Sequence, residues 1–155
     1  MKKINFILAA FLISSVATAQ AVNFSGTWKL NSTKSKLGDQ FSMAPKEIII
    51  SQDVNKLNVE RHSSFQDQDF TNSDKFTLDG KECINPGWQD TQKKSTLVWS
   101  DDKKSLKCIT KFPMNDGGEM IITEVYKMDG TNMIIESSAS SSFGDMSETM
   151  VYDKQ

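Results

Sequence analysis

The chain is poor in the residues from which catalytic and metal centres are built. It carries one histidine, His62, one arginine, Arg61, and two cysteines, Cys83 and Cys108, among 155 residues. A single histidine with two widely separated thiols cannot form a typical zinc site, and no Ser/His/Asp or Cys/His set offers nucleophilic or acid–base catalysis. No enzyme, metal or cofactor is expected. Asp67-Gln68-Asp69 lacks the further oxygen ligands and glycine of a calcium loop, and Asp116-Gly117-Gly118 lacks the lysine and helix of a phosphate loop.

A basic stripe is also missing. Charges of both signs are scattered along every segment, and removing Lys2 and Lys3 with a leader takes the formal net charge from -2 to -4. Nothing in that pattern would neutralise a phosphate backbone, so nucleic acid is not an expected partner.

Long apolar runs are absent too. The longest, Ile4 to Val16, is interrupted by Asn5, Ser14 and Ser15 and falls short of the roughly 20 apolar residues that a transmembrane helix requires. It follows Met1-Lys2-Lys3 and precedes Ala17-Thr18-Ala19, the arrangement of a Sec-type signal peptide of bacterial type. Residues 1–19 are therefore expected to be removed, leaving a periplasmic or secreted protein of residues 20–155 without a membrane segment. No cysteine follows the cleavage site to take a lipid anchor.

What is present is alternation. Helical periodicity is almost nil after residue 20, and short alternating runs are separated by turn signals such as Asp79-Gly80, Pro86-Gly87, Asp129-Gly130 and Gly144-Asp145. The runs place strands near 24–31, 46–52, 55–63, 69–78, 81–84, 92–99, 104–112, 118–128, 131–140 and 145–153, with 81–84 the weakest. Short connections pair sequential strands antiparallel, and closing the meander removes its edges. The expected fold is all-β, a single antiparallel up-and-down β-barrel of eight to ten strands. Its one long connection, Ser32 to Pro45, could be a turn of helix, a flap over one end, or irregular surface chain.

The phase of each run sorts the faces. Phe24, Gly26, Trp28 and Leu30 share one face; so do Leu97 and Trp99; Leu106, Cys108, Thr110 and Phe112; and Met146, Met150 and Tyr152. Polar residues enter some inward sets: Arg61 with Leu57 and Val59, Asn72 and Asp74 with Phe70, Phe76 and Leu78, and Glu124 with Met120, Ile122 and Tyr126. Such charges suit a partly wet cavity or strand ends splayed into solvent better than a tight core. His62 falls on the outer face. Cys83 and Cys108 either form a disulfide or stand apart as core residues; in this layout a third strand lies between theirs, beyond easy bridging. Trp88, in the Pro86-Gly87 loop, is expected to fold back over the rim, the other option being an exposed gate or contact.

Asn23-Phe24-Ser25-Gly26-Thr27-Trp28-Lys29-Leu30 resembles two related families. Its Gly-x-Trp on a first strand is similar to the lipocalin signature, and the longer Phe-x-Gly-Thr-Trp-Lys-Leu looks like the opening of fatty-acid-binding proteins. The closing Met150-Val151-Tyr152-Asp153-Lys154 is loosely similar to the last strand of the latter. Both are calycins, so the resemblance implies a lipocalin-like barrel around an apolar ligand, with an inward tyrosine, Tyr152, that helps hold a carboxylate. The chain departs from those patterns in three places. Residues 32–45 are too few for a helix-turn-helix lid, Met150 stands where an arginine would precede the tyrosine, and no basic residue is evident to pack on Trp28.

The expected ligand is a small apolar or amphipathic molecule, an anionic head being one option. It would lie among Trp28, Phe70, Phe76, Leu97, Trp99, Leu106, Phe112, Ile122, Tyr126 and Tyr152. Arg61 would grip the head bidentately, with a hydroxyl from Tyr126 or Tyr152; alternatively it forms an internal ion pair with Glu124 or Asp74, or snorkels outward. The second reading is a cell-envelope interaction protein with a filled barrel, acting through the 32–45 loop, Trp88 and residues 137–142.

Overall fold

A computed structural model describes residues 20–155 apart from 40, 66, 67, 89 and 116; the expected signal peptide lies outside the described residues, as do Asp67 and Asp116. Ten strands follow one another: β1 (Gly26–Leu30), β2 (Glu47–Gln52), β3 (Lys56–Phe65), β4 (Gln68–Thr77), β5 (Glu82–Pro86), β6 (Gln92–Trp99), β7 (Ser105–Pro113), β8 (Glu119–Asp129), β9 (Asn132–Ser141) and β10 (Gly144–Lys154). The weakest expected run is a strand after all, reaching Pro86 rather than stopping at 84.

All pair antiparallel in one sheet of order β4-β3-β2-β1-β10-β9-β8-β7-β6-β5. The two ends of the chain meet in it, with Trp28 opposite Lys154 and Leu30 opposite Tyr152. The result is a nearly closed up-and-down barrel with one seam, between β4 and β5. There the side chains of β5 stand in for a ladder. Asn85 accepts the Lys75 N–H and donates to the Lys75 carbonyl, and the Cys83 Sγ accepts the Thr77 N–H at 3.2 Å.

Local chemistry explains the tight hairpins. Gly130, between β8 and β9, sits at φ +59°, a conformation that side chains other than glycine rarely adopt. At the β2–β3 turn the Asp53 carboxylate accepts the N–H groups of Asn55 and Lys56, both at 2.8 Å, and these bonds hold its pKa below the ordinary value. Within strands the alternation carries through: β7 buries Leu106, Cys108 and Thr110 and exposes Lys107 and Lys111.

The N-terminal lead seals one end. Val22 donates its N–H to the Lys103 carbonyl, and the Gln52 amide bridges the Phe24 N–H and the Val22 carbonyl, each at 2.9 Å. Phe24 is fully buried, stacked 6.1 Å from Trp99 and edge-on to Tyr126 at 6.0 Å. Trp28 donates its indole N–H to the Phe24 carbonyl at 2.8 Å. The basic residue that seemed missing from the last strand is Lys154, whose Nζ lies 5.5 Å from the centroid of the Trp28 ring. Its place on the final strand beside Trp28 comes from the β1–β10 register, which no local pattern reveals.

The other end carries the long connection and the turns that follow β5, β7 and β9. The long connection holds no helix among its described residues. It is a strap along β10: Lys36 and Thr149 exchange backbone hydrogen bonds at 2.8 Å, and Gly38 and Met43 donate their N–H groups to the Glu148 carboxylate at 2.9 and 3.1 Å. Trp88 does not fold back over the rim. It is 79% exposed, because the five-residue turn closes on itself through the Gly87 N–H to Thr91 and the Thr91 hydroxyl to the Trp88 carbonyl.

Candidate ligand-binding interior

The inward faces form two zones. Towards the sealed end lie Trp28, Leu57, Leu97, Leu106, Tyr126 and Phe24, all buried. Above them is a belt of polar groups contributed by β3, β4, β6, β7 and β8. Alternation puts Arg61 inward from β3, and the barrel's curvature carries its guanidinium across to residues on two other strands, β4 and β8.

Arg61 Nη1 donates to Asp74 Oδ2 at 2.8 Å, and Nη2 donates to Glu124 Oε2 at 3.0 Å and to the Tyr126 hydroxyl at 2.6 Å. The Tyr126 hydroxyl itself donates a hydrogen bond to Glu124 Oε2 at 3.0 Å. Lys93, inward from β6, lies 2.9 Å from Asp74 Oδ2 and 2.7 Å from Oδ1, with its Nζ 5.4 Å from the Phe112 ring centroid. Only the Oδ2 contact has hydrogen-bonding angles. Oδ1 therefore keeps ionic contact with Lys93 while accepting no aligned hydrogen bond, in a residue that is 4% exposed. Beside this group Ser95 and Thr110 share a hydroxyl hydrogen bond of 2.8 Å, and the Cys108 thiol lies 3.6 Å from the Thr110 hydroxyl.

These surroundings set the protonation states. Burial opposes the Arg61 charge, but the oxygens of Tyr126, Glu124 and Asp74 outweigh it and raise its pKa above the ordinary value. Burial, then the nearby Glu124 charge, push the Cys108 thiol up to about 12, so it is a protonated core residue and no nucleophile. Cys83 and Cys108 are both buried and free, with β6 between their strands. His62 lies on the outer face between Glu60 and Glu47, at 2.6 and 3.6 Å, on the opposite side of the sheet from the belt.

The interior brings together Arg61, Tyr126, Phe76, Leu97, Leu106 and Ile122, with Trp99 and Phe112 half-buried. Of the options open for Arg61, the internal ion pair is the observed one, and it engages both Asp74 and Glu124. One expected member stands elsewhere: Phe70 is in the inward phase but 43% exposed, near the open end. Tyr152 is fully buried in the same core, but its hydroxyl does not reach Arg61; it donates to the Pro45 carbonyl at 3.1 Å. Lys93 and Glu148 escaped the sequence reading, although each sits an even number of residues from an inward marker, Leu97 and Met150. A separate open depression of about 300 Å³ beside the seam is lined by Ile84, Asn85, Pro86, Asp90, Thr91 and Gln92.

No family model matches the sequence, nor does any curated protein sequence. Solved structures do match. The zebrafish ileal bile acid-binding protein complexed with cholic acid superposes with a TM-score of 0.59 at 16% identity, over 85% of this chain and 98% of that one. Lipid binding protein 8 of Caenorhabditis elegans gives a TM-score of 0.58 at 12% identity, over 85% and 95% of the two chains. Fatty-acid-binding protein 1 of Echinococcus granulosus gives 0.55 at 15% identity, over 84% and 96%. At such identities the likeness is one of fold: the nearly closed ten-stranded barrel of this chain superposes on those proteins with little shared sequence.

Proposed function

We propose that the protein is an exported carrier that holds a small apolar or amphipathic molecule inside its barrel. The observation that carries this reading is the polar belt itself. An arginine, a lysine and two carboxylates stand above an apolar floor, and replacing such buried ion pairs with apolar side chains is often neutral or stabilising, so stability alone does not call for them. An apolar wall with a few placed polar groups is what orients an amphipathic ligand. The printed names of the structures with this fold, a bile acid-binding, a fatty-acid-binding and a lipid binding protein, support the same class of cargo. Export rests on the leader-like residues 1–19 alone. Binding rather than catalysis fits a belt whose thiol is protonated and whose histidine faces away.

Displacement of an uncharged fluorescent lipophile tests the proposal. Ala139 is a buried inward residue of β9 between Ile122 and Met146, so Ala139→Trp would fill the interior. The native protein should take up the probe and the folded variant should not. Equal uptake by both would place binding outside the barrel.

A second reading is favoured by one observation. Trp88 and Phe143, 79% and 82% exposed, stand on turns at the same open end. Exposed aromatics of that size suit a protein contact, and in this reading the barrel serves as a scaffold in the cell envelope. Recovery of a partner that Trp88→Ala and Phe143→Ser abolish, with no uptake of the probe, would favour it.

A further inference from the structure

The carrier reading leaves the head group open, and the charges of the interior narrow it. Among the described residues, the acidic and basic side chains at buried or half-buried inward positions are Arg61 and Lys93 against Asp74, Glu124 and Glu148. The formal balance is -1, so the interior is no cationic trap.

Nor is either cation available. Both terminal nitrogens of Arg61 are engaged, one by Asp74 and the other by Glu124 and Tyr126. Lys93 lies against both oxygens of Asp74. A carboxylate head would have to strip Asp74 or Glu124 from its partner and leave that acid unpaired in the interior, a loss that one new ion pair does not repair. A cationic head would meet the acids already neutralised, beside two fixed positive charges.

One oxygen in the belt is held by ion pairing alone. Asp74 Oδ1 is buried, accepts no aligned hydrogen bond and belongs to the residue at the centre of the network. A ligand hydroxyl could donate to it by sharing it with the Lys93 ammonium, 2.7 Å away, once the side chains that bury it move aside. Around it Ser95 and Thr110 offer further hydroxyl partners, and Phe112 an apolar wall beside Lys93.

We infer that the barrel selects an uncharged amphiphile with a hydroxyl head, a long-chain alcohol, sterol or acylglycerol, over the corresponding carboxylate. The inference rests on the carrier reading above. Asp74 and Glu124 set the selection by neutralising Arg61 and Lys93 in advance, and Asp74 receives the ligand hydroxyl.

The test compares a long-chain primary alcohol with the fatty acid of the same chain length at neutral pH, each displacing the uncharged fluorescent lipophile. The alcohol should bind at least about tenfold more tightly, a lower bound on the effect of one added like charge in a site of effective dielectric about 20. Glu124→Gln keeps the shape of the side chain and the Arg61–Asp74 pair while removing one negative charge, so it should fold and should narrow or reverse the preference. Asp74→Asn, if folded by circular dichroism, should favour the acid still more. A native protein that binds the acid as tightly as the alcohol, or more so, overturns this inference and leaves the carrier reading standing. A preference unmoved in folded Glu124→Gln overturns the electrostatic cause. Displacement by neither, with no uptake of the probe, brings down the carrier reading and this inference with it.

Discussion

Asn85 closes the barrel against Lys75: its Oδ1 accepts the Lys75 N–H at 2.8 Å, and its Nδ2 donates to the Lys75 carbonyl at 3.1 Å. A side-chain amide thus makes the two bonds that a neighbouring strand would supply, at the one place where the sheet is not laddered. Asn85→Ala should cost about 1–3 kcal/mol, the penalty for leaving buried polar groups unsatisfied. Amide hydrogen exchange should show early loss of protection at Lys75 and Thr77, with β8 to β10 unaffected. Uniform protection across the sheet would mean that the seam is held by packing alone.

Arg61 is predicted to be structural before it is anything else. Removing it as Arg61→Met leaves Asp74 and Glu124 facing each other without a shared cation, and breaking a buried pair in that way costs about 3–5 kcal/mol. Adding Glu124→Gln to Arg61→Met should recover part of the loss, which urea denaturation of the four proteins in the cycle would measure. Additive losses would contradict a coupled network.

The buried acids predict an alkaline limit. Cys108 rises from 9.0 to about 12, chiefly through burial, and burial likewise lifts Tyr126 and Tyr152 above the ordinary tyrosine value. A raised pKa in the fold means that the native state keeps a proton which the unfolded chain releases. The stabilisation is complete below the unfolded value and is lost as pH rises towards the folded one. The melting temperature should therefore fall progressively as pH rises from about 9 towards 12. Cys108→Val should flatten the early part of that fall. In the native protein at neutral pH a thiol-alkylating reagent should leave Cys108 unmodified until denaturant is added.

Glu148 ties down the strap. Its carboxylate is the acceptor for both Gly38 and Met43, so Glu148→Ala should open residues 32–45 to proteolysis and cost about 1–3 kcal/mol. Gly38→Ala should act similarly through a different cause, since its Cβ would lie 2.2 Å from the Phe41 carbonyl oxygen. Limited proteolysis with mass mapping of the first cut separates this from global unfolding: the first cuts should fall within the strap.

Much of this fold is legible in the sequence because a small barrel writes its architecture as alternation and punctuation. Leu106, Cys108 and Thr110 on one phase, with Lys107 and Lys111 on the other, define β7 and its inner face without further information. The misreadings have particular causes. Lys93 and Glu148 lie inward by phase, but their residue types suggest solvent, and only partners on other strands, Asp74 for one and the strap N–H groups for the other, make their burial affordable. Lys154 covers Trp28 through a register between the first and last strands. Phe70 obeys its phase yet stands exposed near the open end, and Trp88 is held outward by a turn that satisfies itself. Alternation tells which way a side chain points; it names Asp74, Glu124 and Tyr126 as options for Arg61 but cannot tell that all three are engaged at once.

Native mass spectrometry of the protein from its own host, before and after extraction with organic solvent, tests the central claim most directly. The account predicts a discrete additional mass that solvent removes, belonging to an uncharged amphiphile, and its absence from Ala139→Trp. An unliganded mass before extraction, together with no uptake of added lipophile, would contradict it.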